Sequence, residues 1–124
     1  WIADTFIVSS GGKLEALINP SANRVVAIGT GLGAALSEEI FCRLFFLCLI
    51  AYYLRGLRLG RVVAVVFTSL IFAIAHAGMV TPEWFKFTQT FVLGAILGWL
   101  MVKQGVDSTI TAHGAVNVAA ALIP

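Results

Sequence analysis

Six polar side chains stand out against an apolar background: Glu38, Glu39, Arg43, His76, His113 and Asn117. Glu39 and Arg43 are four residues apart with the acid N-terminal, so on a helix they share a face and can form an ion pair. Glu38 lies about 100° round that helix from Glu39 and has no local cation of its own. Such an acid is the natural candidate for a general base. Phe72 precedes His76 by one helical turn, and His113 precedes Asn117 by the same spacing. Taken singly, each group has a structural explanation: an ion-pair cluster joining helices, packed histidines, or an interhelical asparagine. Together they supply a base, its partner and hydrogen-bond donors for an oxyanion, an inventory suited to hydrolysis of a carbonyl compound by water. No serine or cysteine is paired with a histidine by local spacing, which disfavours a covalent nucleophile. Glu38, His76 and His113 could also hold zinc with a water in an open position. The helical zinc signature, two histidines four apart with a glutamate between them, is absent. The cofactor expectation is therefore none, with zinc as an open alternative.

These groups sit in an unusual chain. Of its 124 residues, 60% are hydrophobic and 11% charged, and the mean hydropathy is +0.98. A soluble domain carries about 25% charged residues, because polar surface must cover its core. Disorder and nucleic-acid binding are excluded, and two cysteines exclude a disulfide scaffold. The net charge of +2 calls for no polyanionic partner. The solvent that fits is a lipid bilayer. A charged side chain near the bilayer centre costs about 2.5–3.5 kcal/mol, so several of them should converge on one another or on a wet cavity.

The expected fold class is an all-α membrane protein, with about four transmembrane helices bundled around a polar intramembrane site. Residues 1–24 read as an extramembrane or interfacial N-terminal segment, with a helical turn or two over 13–18, and residues 25–124 as the membrane domain. No signal-peptide pattern is visible, and a chain that begins with Trp1 reads as part of a longer protein. Residues 25–54 form the first span, roughly 45 Å as one helix and too long for a bilayer of about 30 Å. Gly29, Gly31 and Gly33 mark the expected bend. The second span is 62–80, the third 87–102, and the fourth 107–124, capped by Asp107 or Ser108. For His113 to reach Glu38, the fourth helix must start late, tilt, or follow a re-entrant segment. A loop over 81–86 carries the interfacial pair Trp84 and Phe85. Arg55, Arg58 and Arg61 put the 55–61 loop on the cytoplasmic side, with Lys103 beside it and Lys13, Arg24 and Lys86 opposite. Cys42 and Cys48 read as buried thiols on different helix faces.

Gly29, Gly31 and Gly33 mimic a dinucleotide-binding turn, but there is neither a βαβ setting nor an acidic residue about twenty positions on. Gly29 and Gly33, like Gly94 and Gly98, fit close helix packing better. Phe45 and Phe46 are read as lipid-facing or core residues.

In order along the chain, Glu38-Glu39 followed by Arg43, Phe72 followed by His76, and His113 followed by Asn117 resemble the motifs of the CPBP family. These are intramembrane proteases, comprising CAAX proteases and bacteriocin-processing enzymes, also called Abi. The resemblance covers roughly residues 25–124 and all three motifs are complete. It implies an all-helical membrane endopeptidase of glutamate type. Glu38 and His76 would activate the water, His113 and Asn117 would hold the oxyanion, and Glu39 and Arg43 would orient the site. The expected substrate is a peptide bond in a prenylated or membrane-associated peptide. Further membrane subunits or missing helices could complete a chain this short. Two other classes compete. One is a non-catalytic membrane subunit using the same residues for helix packing or cofactor contact; the other is a pigment-binding or proton-relay protein using the histidines.

Overall fold

The computed structural model describes residues 20–77 and 82–122. Among these residues every regular element is helical and there is no strand. Helix α1 (Pro20–Glu39) passes without a break into a π-helix (Ile40–Leu47) and then α2 (Cys48–Tyr53). A tight turn leads to α3 (Gly60–Ala75), and α4 (Glu83–Gln104) and α5 (Val106–Leu122) complete the bundle. The expected turns over 13–18, and nearly all of the 1–24 segment, lie outside the described residues.

The expected bend at Gly29, Gly31 and Gly33 is absent, since α1 stays helical through all three. Thr30 and Ser37 donate to the carbonyls of Val26 and Gly33 at 2.9 and 3.0 Å, so their hydroxyls are satisfied within the helix itself. The irregularity comes ten residues later, in the π-helix, and its purpose is visible in what it buries. Ala35, Glu39, Arg43 and Leu47 recur every fourth residue and are all buried. In a regular α-helix each four-residue step overshoots a full turn by about 40°. The wider π turn gives back that rotation, so a stripe spaced by fours keeps facing inward.

The long helix packs against two antiparallel partners. α3 and α4 meet through small residues: a Cβ on Gly94 would lie 3.2 Å from the Cα and Cβ of Ser69, and one on Gly98 would lie 3.1 Å from Val65. Ala64, Ser69 and Ala73 are buried in the same seam. α5 crosses α1 where a Cβ on Gly31 would meet Asn117 at 3.2 Å and one on Gly114 would meet Leu32 at 3.1 Å. Gly94 and Gly98 thus serve close packing as expected, whereas Gly29 and Gly33 do not. Among the described residues nothing lies within 4 Å of a Cβ on either, and the close approach falls to Gly31.

Several boundaries differ from expectation. The second span ends early, with α3 stopping at Ala75 and His76 as its C-cap. The 81–86 stretch is mostly helix, since Pro82 fixes the extended N-cap backbone from which α4 starts at Glu83. α5 starts at Val106 directly after Gly105, whose φ of 92° turns the chain, so it neither starts late nor follows a re-entrant segment. Cys42 is half-buried and Cys48 exposed, so the thiols are not both buried. Phe41 and Phe45 also point outward, a face that suits lipid as well as any core would. Among the described residues one helix, Glu83–Gln104, is long and apolar enough to cross a membrane; Gly60–Ala75 is apolar but shorter.

The α2–α3 turn depends on a glycine. A Cβ at Gly60 would overlap the carbonyl of Leu54, whereas Gly56 has nothing within 4 Å. Gly60→Ala should destabilise the folded protein by about 1–3 kcal/mol, and Gly56→Ala by no more than about 0.5 kcal/mol. Thermal unfolding of the two variants in one detergent measures the difference; equal losses would contradict the packing described.

Candidate active site

Glu39 is the last residue of α1 and Arg43 lies half a π-helix later; both are fully buried. Arg43 Nε is 3.4 Å from Glu39 Oε2, an ion pair without hydrogen-bond alignment. The guanidinium is held from other directions. Nη2 donates to the Gly94 carbonyl of α4 at 3.1 Å, and its carbon lies 4.7 Å above the Phe72 ring centroid. The second carboxylate oxygen of Glu39 accepts from His113 Nδ1 of α5 at 2.9 Å. One buried acid therefore ties α1 and the π-helix to α5, and through Arg43 to α3 and α4.

His76 ends α3, where the last carbonyls of a helix lack intrahelical partners. Its Nδ1 lies 2.8 Å from the Phe72 carbonyl, which can only accept, so Nδ1 carries the proton and Nε2 is turned outward. Phe72, 2% exposed, stacks against the His76 ring with centroids 4.5 Å apart. It meets His113 edge-on at 5.8 Å and 84°. A single phenyl ring thus touches both imidazoles and the guanidinium.

Glu38 faces both imidazoles. Its Oε1 is 3.8 Å from His76 Nε2 and its Oε2 is 3.7 Å from His113 Nε2. These distances exceed a direct hydrogen bond and suit bridging through a water. The Glu38 side chain is 31% exposed and that of His76 18%, against 4% for His113, so the group opens to one side. Asn117 stands apart, donating its Nδ2 to the Gly31 carbonyl of α1 at 2.9 Å.

The six residues singled out by sequence thus come from α1, the π-helix, the end of α3, and α5. Five of them, Glu38, Glu39, Arg43, His76 and His113, form one cluster whose polar side-chain atoms approach within 4 Å. Asn117 lies one turn beyond His113 and contacts backbone. Sequence reasoning missed the carbonyls of Gly31 and Gly94 and the reach of Phe72 to Arg43. The only signal for the first two was the small-residue spacing. Among the described residues no group of three His, Cys, Asp or Glu side chains is arranged to hold a metal ion.

Removing one partner of a buried ion pair costs about 3–5 kcal/mol, because the other charge is stranded. Glu39→Ala strands Arg43 and also deprives His113 of its acceptor. Arg43→Met leaves Glu39 bonded to His113. Glu39→Ala should therefore be the more destabilising of the two in denaturant unfolding. The reverse order would show that Glu39 is not the hub.

No curated protein and no solved structure shows significant similarity to the chain. The family model described as type II CAAX prenyl endopeptidase Rce1-like matches residues 20–119, which includes every residue of the constellation above. The chain belongs to the Rce1-like family of type II CAAX prenyl endopeptidases, membrane-embedded hydrolases that fall within the CAAX-protease group its motifs resemble.

Proposed function

We propose that the chain is an intramembrane endopeptidase that hydrolyses a peptide bond in a prenylated or otherwise membrane-associated peptide, with a water activated by Glu38 and His76. The observation that carries this reading is one partly open carboxylate facing the Nε2 atoms of two imidazoles at 3.8 and 3.7 Å. With Nδ1–H of His76 committed to the Phe72 carbonyl, its Nε2 is an acceptor, as is Glu38. A water between them offers one hydrogen to each, and its oxygen lone pair is left free to attack.

Glu38 takes a proton as the water oxygen bonds to the scissile carbonyl carbon. The carbonyl oxygen becomes an oxyanion, which His113 and Asn117 stabilise by donating to it. Nδ1–H of His113 is committed to Glu39, so donation from Nε2 requires an imidazolium, which would lie between the carboxylates of Glu38 and Glu39. Asn117 keeps one N–H beyond the one given to Gly31. Collapse of the intermediate breaks the C–N bond, and the proton on Glu38 passes to the leaving amine. Glu39 and Arg43 act through their neighbours, orienting His113 and fixing the helices. No step runs through a metal.

The bundle is read as four membrane crossings, with the 55–61 loop cytoplasmic. α3 and α4 are antiparallel, so Lys103 and Trp99, 5.4 Å apart as a cation–π pair, fall at the same end as Tyr52, Tyr53 and the three arginines. Exposed Trp84 and Phe85 fall at the other. Aromatic residues beside cations at both ends support this orientation.

Glu38→Gln and His76→Ala should each lower kcat/KM for a membrane-presented peptide by roughly 100- to 10,000-fold while the protein stays folded. Cleavage at the wild-type rate by either variant would discard the mechanism, and unfolding of both would favour a non-catalytic role in helix packing. Activity is expected to survive a strong zinc chelator; loss that zinc restores would move the assignment to a metalloenzyme.

A further inference from the structure

At the end of the bundle away from the catalytic group, the α2–α3 turn borders a partly open cavity of about 610 Å³. Arg55, Arg58 and Arg61 line it together with Tyr52, and Leu47 and Val62 form part of its apolar wall. No acidic side chain lines it, and none of the three arginines forms a salt bridge among the described residues. Three like charges in so short a turn repel one another unless an anion lies between them. The turn holds the backbone positions that carry them close together. Leu57 N–H donates to the Leu54 carbonyl at 2.9 Å, Gly60 N–H donates to Leu57 at 3.0 Å, and Gly60 packs directly on the Leu54 carbonyl. The guanidinium carbon of Arg55 lies over the Tyr52 ring, 4.4 Å from its centroid. A planar guanidinium presents its N–H edges in the fork that matches phosphate oxygens.

We propose that this cavity binds the phosphate-bearing headgroup of an anionic phospholipid, with the glycerol backbone and upper acyl chain against its apolar wall. The charge pattern fits an anion, and the mixed lining fits a molecule polar at one end and apolar at the other. Basic pockets between helices at the cytoplasmic face recognise such headgroups. The inference rests on the membrane-spanning reading above and is independent of catalysis. Leu47 belongs both to this wall and to the buried stripe that carries Glu39 and Arg43, so a bound lipid would brace the far end of the π-helix.

The test uses the full chain in a neutral detergent, titrated with short-chain phosphatidylglycerol, short-chain phosphatidylcholine or inorganic phosphate, with thermal unfolding and native mass spectrometry as readouts. Phosphatidylglycerol should raise the unfolding temperature and remain bound, whereas phosphatidylcholine and inorganic phosphate should do neither at the same concentration. Arg55→Gln, Arg58→Gln and Arg61→Gln should each weaken phosphatidylglycerol binding roughly fivefold. Arg24→Gln, which removes a charge from the far end, should leave it unchanged. Glu38→Gln should bind the lipid like wild type, which separates this site from the catalytic reading. Equal binding of the two lipids by a chain that inserts into neutral bilayers would overturn the proposal and leave the membrane reading intact. A matching loss in Arg24→Gln would reduce it to general surface charge, and inorganic phosphate acting as well as the lipid would make it a free-anion site. If an arginine variant does not fold, the comparison of ligands on the wild-type chain decides the question.

Discussion

A carboxylate with no access to solvent, Glu39, is the group on which the arrangement turns. In an apolar interior an ionised acid is tolerated only when every lone pair is matched by charge or hydrogen bond. Glu39 approaches that demand with the Arg43 charge beside one oxygen, which lacks a hydrogen bond, and a hydrogen bond from His113 on the other, and each of these brings a helix with it. Arg43 is itself too far from a good hydrogen bond to Glu39 to be satisfied by it alone, and it recruits the Gly94 carbonyl and the Phe72 face. The need to neutralise one acid thus fixes how α1, α3, α4 and α5 meet. Glu38, the neighbour, remains partly open and takes no part in that neutralisation.

The division of labour between adjacent glutamates follows from helical geometry. Consecutive residues point about 100° apart, so one can face the core while the next faces a cleft. The π-helix begins immediately after them. π-turns cluster at functional sites because they re-aim side chains without ending the helix. Here the wide turn keeps Arg43 and Leu47 in line below Glu39, and the carboxylate of Glu38 is left beside the two imidazoles.

Much of the site was legible in the sequence for a simple reason: titratable groups are rare in a chain that is 60% hydrophobic, so each one marks itself. Glu39 with Arg43, and Phe72 with His76, also followed from i, i+4 spacing. The all-helical class followed from composition. What could not be read had no distinguishing letter. A stripe spaced by fours looks alike in an α- and a π-helix until the neighbours are known, so the irregularity was assigned to glycines at 29, 31 and 33. The end of α3 at Ala75 lies inside an uncharged run with no proline before position 82, and the end is marked by His76 taking up a carbonyl. Cys48 faces outward because an apolar thiol is equally at home against lipid. The partner of Asn117 is a backbone oxygen, and every residue type supplies one.

That last feature bears on how the family can vary. Two of the long-range anchors, Arg43 on the Gly94 oxygen and Asn117 on the Gly31 oxygen, end on main-chain atoms. No codon change can delete a peptide carbonyl. Exchange at positions 31 and 94 can act only by forcing neighbouring backbones apart, so what these sites refuse is added bulk, whatever its charge or polarity. Their tolerance is a matter of tenths of an ångström.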